Sequence, residues 1–280
     1  MNNRLALALA LGIAATTSAM AQDPVARNRP TTAIETDRPD QTETATTVPA
    51  GQLQIEAGFV YEHDETEYDG TFGGTTGLET TAMQMPTVLA RLGVAEGLEL
   101  RLESGVQRIE TRVVGSPLPV EQTTLSDGMT PLSIGFKVEL LEESGIIPQT
   151  AFIGDLTLPV GSSELRSEFI APAFRFTMAS TLADWLSFGY NLGAEWDGAD
   201  PNGVGIYTVT LAAALSEAIG AYVEAFGEMS TGATPMHMLD GGFTLKPMPN
   251  LQFDLSGGIA LNEASPDYYL GAGVSMRLPD

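Results

Sequence analysis

The sequence predicts an all-β fold, a transmembrane antiparallel up-and-down barrel of about twelve strands, and three observations carry that prediction. The first is an alternation that keeps restarting after residue 50. Leu251, Phe253, Leu255, Ile259 and Leu261 share one parity, while Gln252, Asp254, Ser256 and Asn262 share the other. Leu53/Ile55/Ala57/Phe59/Tyr61 and Leu186/Phe188/Tyr190/Leu192/Ala194/Trp196 repeat it. A period of two places successive side chains on opposite faces of a strand. The second is the start of the chain. Arg4, an apolar run from Leu5 to Ala15 and the small residues of Ala19-Met20-Ala21 form a secretory leader, with cleavage expected before Gln22. The third is that no later stretch is apolar enough for a membrane helix, which needs ~20 residues. An exported chain with two-faced strands then crosses lipid only as a closed barrel, because lipid offers no partner to open backbone groups.

Composition excludes one class of partner. Thirteen basic against thirty-six acidic side chains give a net charge of −23, and only Lys137 and Lys246 are lysines. Nucleic-acid binding needs a basic surface, so none is expected. The absence of cysteine agrees with an exported Gram-negative protein that is neither a lipoprotein nor disulfide-dependent.

Taken in order, residues 22–51 lack periodicity and are rich in Thr, Pro, Asp and Glu, which predicts an extended polar segment. The barrel is expected over 52–280. Its first strand is predicted over Gln52–His63, then an acidic loop Asp64–Gly77, then Thr80–Val94 with a bulge at Pro86. Ala95-Glu96-Gly97 turns into Leu98–Val113. The loop Gly115–Ser126 precedes a strand Met129–Leu141, followed by Gln149–Pro159, Phe169–Thr181 and Trp185–Trp196. Val204–Leu215, Gly220–Met229, His237–Lys246, Leu251–Leu261 and Tyr268–Leu278 complete the sheet. Short turns alternate with longer loops, as in outer-membrane barrels. Tyr61, Trp185, Trp196, Tyr207, Tyr268 and Tyr269 lie near strand ends, where aromatic rings suit a membrane interface.

Glu35-Thr36-Asp37-Arg38-Pro39-Asp40, followed by Thr42-Glu43 and Val48-Pro49-Ala50-Gly51-Gln52-Leu53-Gln54, resembles the opening of outer-membrane "transporter" proteins of the family named for the meta-pathway of phenol degradation. Gly97-Leu98-Glu99-Leu100-Arg101, Pro131 to Lys137, Leu158-Pro159-Val160-Gly161 and Ala171 to Arg175 extend the resemblance to the C-terminus. The family resemblance implies an outer-membrane barrel that moves small, often hydrophobic or aromatic, compounds. The last strand also resembles the signal read by the barrel insertion machinery, with Gly273, Met276 and Leu278 in place, but it ends Leu278-Pro279-Asp280 rather than on an aromatic residue. Outer-membrane lipid and lipopolysaccharide are the other expected partners. No cofactor is expected.

Strand parity assigns the lumen-facing charges. The acids are Glu56, Glu99, Glu103, Glu139, Asp155, Glu195, Glu224, Glu228, Asp240 and Asp254; the bases are Arg91, Arg101, Lys137, Arg175, Lys246 and Arg277. Charges in a low-dielectric setting must be paired or wet. Barrels of ~8 strands pack solid and those of ~16 hold a channel, so twelve strands predict a narrow, partly occluded pore. Asp37, Arg38 and Asp40 join the candidate solute pathway. Pro39 stiffens the chain beside the planar Arg38 fork, which is suited to a carboxylate in the lumen. A periplasmic tether is the alternative for this segment.

No catalytic residues or metal ligands are predicted. His63 and His237 are expected at outer strand ends without a nucleophile in legible spacing. The Asp64/Glu65/Glu67/Asp69 and Asp197–Gly203 stretches lack EF-hand spacing and read as solvated acid. No P-loop is present to drive transport. Passive passage or binding of small solutes is the leading reading. A non-conducting structural or adhesion-type barrel and a membrane-embedded hydrolase stay open beside it.

Overall fold

The computed structural model describes residues 33–69, 75–114 and 123–279. The leader, its cleavage site and residues 22–32 lie outside them, as do 70–74 and 115–122 of the two predicted loops. Strands are β1 (Leu53–Asp69), β2 (Thr75–Ala95), β3 (Leu98–Val114), β4 (Thr123–Met129), β5 (Ser133–Leu141), β6 (Gln149–Thr157), β7 (Ala171–Ala183), β8 (Leu186–Glu195), β9 (Val204–Ala214), β10 (Ile219–Met229), β11 (Met236–Met248), β12 (Leu251–Ala260) and β13 (Tyr268–Leu278). Each pairs antiparallel with its neighbours, and β1 pairs with both β2 and β13, which closes the ring. β4 and β5 both lie along β3, one on its outer half and one on its inner half, so they count as one wall position. The wall is a closed, twelve-stranded antiparallel barrel, and no helix forms among the described residues.

The predicted single strand Met129–Leu141 is thus broken at Thr130-Pro131-Leu132. Pro131 has no N–H for the ladder, so pairing stops there and resumes at Ser133. Pro86 acts similarly: the register of β2 shifts between Gln84 and Thr87 against β3. The acidic loop expected at Asp64–Gly77 is mostly strand, because β1 and β2 pair from Asp64↔Thr80 out to Asp69↔Thr75. His63 consequently lies within β1 rather than at its end. β1, β2 and β3 run far past the apolar zone. Their outward positions change there from Phe59, Leu102 and Val106 to Glu65, Glu79, Arg108, Glu110 and Arg112, the pattern of a sheet leaving lipid for water.

The polarity of the wall is inverted relative to a water-soluble protein. Leu255 is 63% exposed and its neighbour Asp254 only 4%. Phe59, Leu100, Val223, Phe243 and Leu270 are likewise exposed, while Gln54, Glu56, Gln252 and Ser275 are buried. A sandwich would bury the apolar face. An apolar belt around a polar interior is the arrangement of a barrel solvated by lipid.

One end of the barrel carries tight turns at Glu96-Gly97, Asp184-Trp185 and Pro249-Asn250, with Gly97 at φ +70°. The chain also enters and leaves at this end. Longer connections, 158–170, 196–203, 230–235 and 261–267, occupy the other. These are termed the turn end and the loop end.

Candidate functional site: a charged segment inside the barrel

Residues 33–50 have no strand pattern of their own, so their backbone groups need partners elsewhere. They find them inside the barrel. Ile34 N donates to Pro249 O at 2.6 Å, Gln41 N to Glu224 Oε2 at 2.7 Å, Thr47 N to Glu139 Oε1 at 2.7 Å and Val48 N to Glu99 Oε2 at 2.7 Å. Gly93 lets the segment leave the lumen: a Cβ there would lie 2.2 Å from Pro49 O and 2.3 Å from Val48 O.

Asp37 occupies the centre. Lys137 Nζ reaches its Oδ1 and Oδ2 at 2.8 and 2.9 Å, Arg101 Nη1 its Oδ2 at 2.5 Å, and Arg91 Nη1 stands 3.2 Å away. Thr44 N and Oγ1 each donate to Oδ1 at 3.0 Å. Arg91 also grips Glu99 with two nitrogens, at 2.8 and 3.0 Å, and Glu56 with a third at 2.9 Å. Glu56 in turn accepts from Asp37 N at 3.0 Å and Gln54 Nε2 at 2.7 Å. These wall groups are within a few per cent of full burial, where a charge survives only if paired and fully hydrogen-bonded. Burial alone would raise the Asp37 carboxyl, but Arg91, Lys137 and Arg101 around it hold it well below the usual carboxylate range.

Arg38 points the opposite way, to Asp254 Oδ1 at 3.2 Å and Ala272 O at 3.3 Å. Gly58 and Gly273, a directly opposed pair on β1 and β13, leave room for it; a Cβ on either would overlap the guanidinium. Asp40 lies toward a third group, Glu224 and Asp240, which face each other across β10 and β11. Thr42 Oγ1 donates to Glu224, and Tyr222 and Tyr269 donate to Asp240 Oδ2, Tyr222 at 3.1 Å. Burial and then the Glu224 carboxylate push Asp40 well above the ordinary aspartate range.

Of the positions assigned by parity, Glu56, Arg91, Glu99, Arg101 and Lys137 meet around Asp37. Glu224, Asp240 and Asp254 meet the next turn of the segment. Glu139 receives Thr47 near the turn end. Arg175 Nη1 donates to Gln41 O at 3.1 Å. Glu103, Asp155 and Glu195 border a cavity beyond the segment, and Lys246 lines one before it. Glu228 faces the loop-end lumen. Arg277 is buried on β13. Sequence reasoning did not single out Glu43, which joins Arg101 at 2.9 Å, or Gln54 and Gln252. The two glutamines share the inward parity and were findable by it, whereas Glu43 sits in a segment without periodicity. Tyr269 was expected at the membrane interface. It instead faces inward, because Tyr268 takes the outward position of β13 and a hydroxyl can satisfy buried Asp240.

The segment divides the lumen. A cavity of about 510 Å³ opens toward the turn end, and cavities of about 460 and 320 Å³ lie toward the loop end. Arg38, Pro39, Asp40 and Glu43 border both the first and the second, so they form the partition between them.

The family model described as "Putative MetA-pathway of phenol degradation" matches residues 36–278. Among solved structures, an outer membrane channel from Pseudomonas putida F1 is similar at a TM-score of 0.56 and 13% identity, covering 87% of this chain and all of that one. The transport unit of the autotransporter AIDA-I from Escherichia coli is similar at a TM-score of 0.57 and 9% identity, covering 88% of this chain and 93% of its own. At such identities the likeness is one of fold. No curated protein matches the sequence significantly.

Proposed function

We propose, from the premise that the chain belongs to this phenol-degradation family, that it is a passive outer-membrane channel for small solutes, hydrophobic and aromatic compounds among them. The carrying observation is the divided lumen, in which two vestibules lie on either side of the inner segment and share Arg38, Pro39, Asp40 and Glu43 as their common border. A barrel serving only as a wall has no use for cavities at both ends of its lumen. In this reading the leader is removed near Ala21/Gln22 in a Gram-negative cell, the insertion machinery seats the barrel among outer-membrane lipid and lipopolysaccharide, and the turn end faces the periplasm. The segment 33–50 is the occluding element. The inward charges named above line the solute path, with the Asp37 group anchoring the segment and the loop-end acids meeting the solute first.

The density of buried pairing around Asp37 favours one competing reading, a permanently closed structural barrel. Solute-resolved swelling of proteoliposomes separates the two. Entry of arabinose above the rate of protein-free liposomes, with exclusion of a larger oligosaccharide, is expected; phenol, which crosses lipid unaided, is scored only as an excess over the protein-free rate. Entry of every solute at the protein-free rate, in the native protein and in a variant lacking Thr36–Thr42 alike, would leave the closed barrel.

A further inference from the structure

The loop-end vestibule has an uneven charge balance that the occluding role does not use. Its cavities of about 460 and 320 Å³ share Glu43, Gln84, Thr87 and Glu103, so they form one chamber. Small-molecule sites typically span ~300–1,000 Å³. The bases that reach it are committed elsewhere: Arg38 to Asp254, Arg101 to Asp37 and Glu43, Arg175 to Gln41 O. Glu62, Glu103, Glu195 and Glu228 border the same chamber, and among the described residues none of their four carboxylates makes an ion pair or accepts a hydrogen bond.

The chamber's wall also carries apolar side chains, set among the polar Gln84, Thr87, Ser104 and Ser256. Val60, Leu89, Phe226, Met236, Met238 and Tyr269 line it, and the rings of Phe226 and Tyr269 meet edge-on at 6.5 Å between centroids. Water alone has no use for an apolar shelf, and it leaves the four carboxylates without a counter-charge. An apolar body carrying a positive charge satisfies both: its ring lies on Phe226, Tyr269 and the methionines, and its cation faces the free carboxylates and the aromatic faces.

We propose that the loop-end vestibule binds small organic cations, an amine on an aromatic or aliphatic body, in preference to anions of the same size. The proposal rests on the channel reading only for passage; binding is independent of it. Fixed charge of one sign raises the local concentration of its counterion ~10-fold or more at low salt. High salt weakens the preference, because the screening length falls to ~3 Å at 1 M.

The test is equilibrium binding of benzylammonium, benzyl alcohol and benzoate to the folded full chain in detergent, measured by calorimetry at low salt, with proteoliposome uptake of the same three solutes in parallel. Benzylammonium is expected to bind ~10-fold more tightly than benzoate. A Glu62→Gln, Glu228→Gln double variant should cut that ratio ~3-fold. Glu110→Gln, outside the vestibule and paired with Arg112, should leave the ratio as it is. Equal binding of cation and anion, or a ratio insensitive to the double variant in protein that still migrates as a folded barrel, overturns the proposal. Cation binding without uptake of any solute above the protein-free rate sustains it and defeats the channel reading. Uptake without charge preference in binding does the reverse.

Discussion

Replacing Asp37 by alanine is the sharpest perturbation of the occluding segment. The substitution removes the carboxylate from between three cations, but their losses differ. Arg91 keeps Glu56 and Glu99, and Arg101 keeps Glu99 and Glu43. Lys137 keeps only Thr44 O at 3.0 Å and Glu43 at 3.9 Å, and its side chain is fully buried. The penalty therefore falls mainly on one dehydrated ammonium, with Thr44 N and Oγ1 losing an acceptor beside it. Breaking a buried pair from one side costs ~3–5 kcal/mol. The lower figure applies here because two of the three cations stay paired. When the segment leaves the lumen, water reaches Lys137 again, so the cost falls on the seated state alone. A loss of ~3 kcal/mol shifts the seating equilibrium ~150-fold toward the open lumen. Asp37→Asn keeps the shape and the Thr44 contacts and should shift it less. Single-channel recording should show larger or more frequent openings in the order native, Asn, Ala. Proteinase K should cut residues 33–50 in the same order. Native-like conductance together with native-like protection in Asp37→Ala would refute the anchoring role.

Three further outcomes follow from the same geometry. Leu255→Arg puts a charge on the lipid face at a cost of ~2–4 kcal/mol and should lower the yield of heat-modifiable barrel, whereas Asp254→Ser should assemble normally and leave Arg38 with Ala272 O but without its carboxylate; equal yields would mean the faces are reversed. Asp40 is held above its ordinary range when seated, so ionisation favours the unseated state: seating is strongest at low pH and weakens as pH rises from the ordinary aspartate range through the raised value. Asp40→Asn should flatten that dependence in conductance recorded from pH 4 to 9, and an unchanged slope would place the titration elsewhere. Gly93→Ala forces a methyl group onto the backbone carbonyls of Val48 and Pro49, which cannot swing aside as a side chain can, so it should expose the segment to protease without changing barrel assembly.

The wall was legible in the sequence because lipid and lumen impose opposite demands on alternate residues. Leu251–Ala260 shows this best, with every second position apolar toward lipid and Gln252 and Asp254 toward the lumen. The same rule places Arg91, Glu99 and Lys137 inward. It fails where the outside is no longer lipid. Beyond His63 both faces of β1 are wet, the alternation of apolar and polar residues ends, and Asp64–Asp69 reads as a loop although its backbone is paired. The segment 33–50 is opaque for a different reason. Its conformation is set by partners up to 234 residues away, such as Ala272 for Arg38, so no local period records it. Its composition did suggest a polar chain, and Arg38 beside Pro39 suggested a carboxylate partner. Asp37 as the centre of three cations was beyond reach, since Arg91, Arg101 and Lys137 meet only once the barrel has closed.

The most direct test of the account is the conductance of the barrel with and without Thr36–Thr42, measured in planar bilayers on protein that migrates as a folded barrel in both cases. The deletion removes Arg38, Pro39 and Asp40 from the partition between the two vestibules, together with Asp37 from its anchor. A large, steady rise in single-channel conductance is predicted, with Arg38→Ala giving a smaller rise and more fluctuation. An unchanged conductance in the deletion variant would contradict the account, because it would mean that the segment does not stand in the solute path.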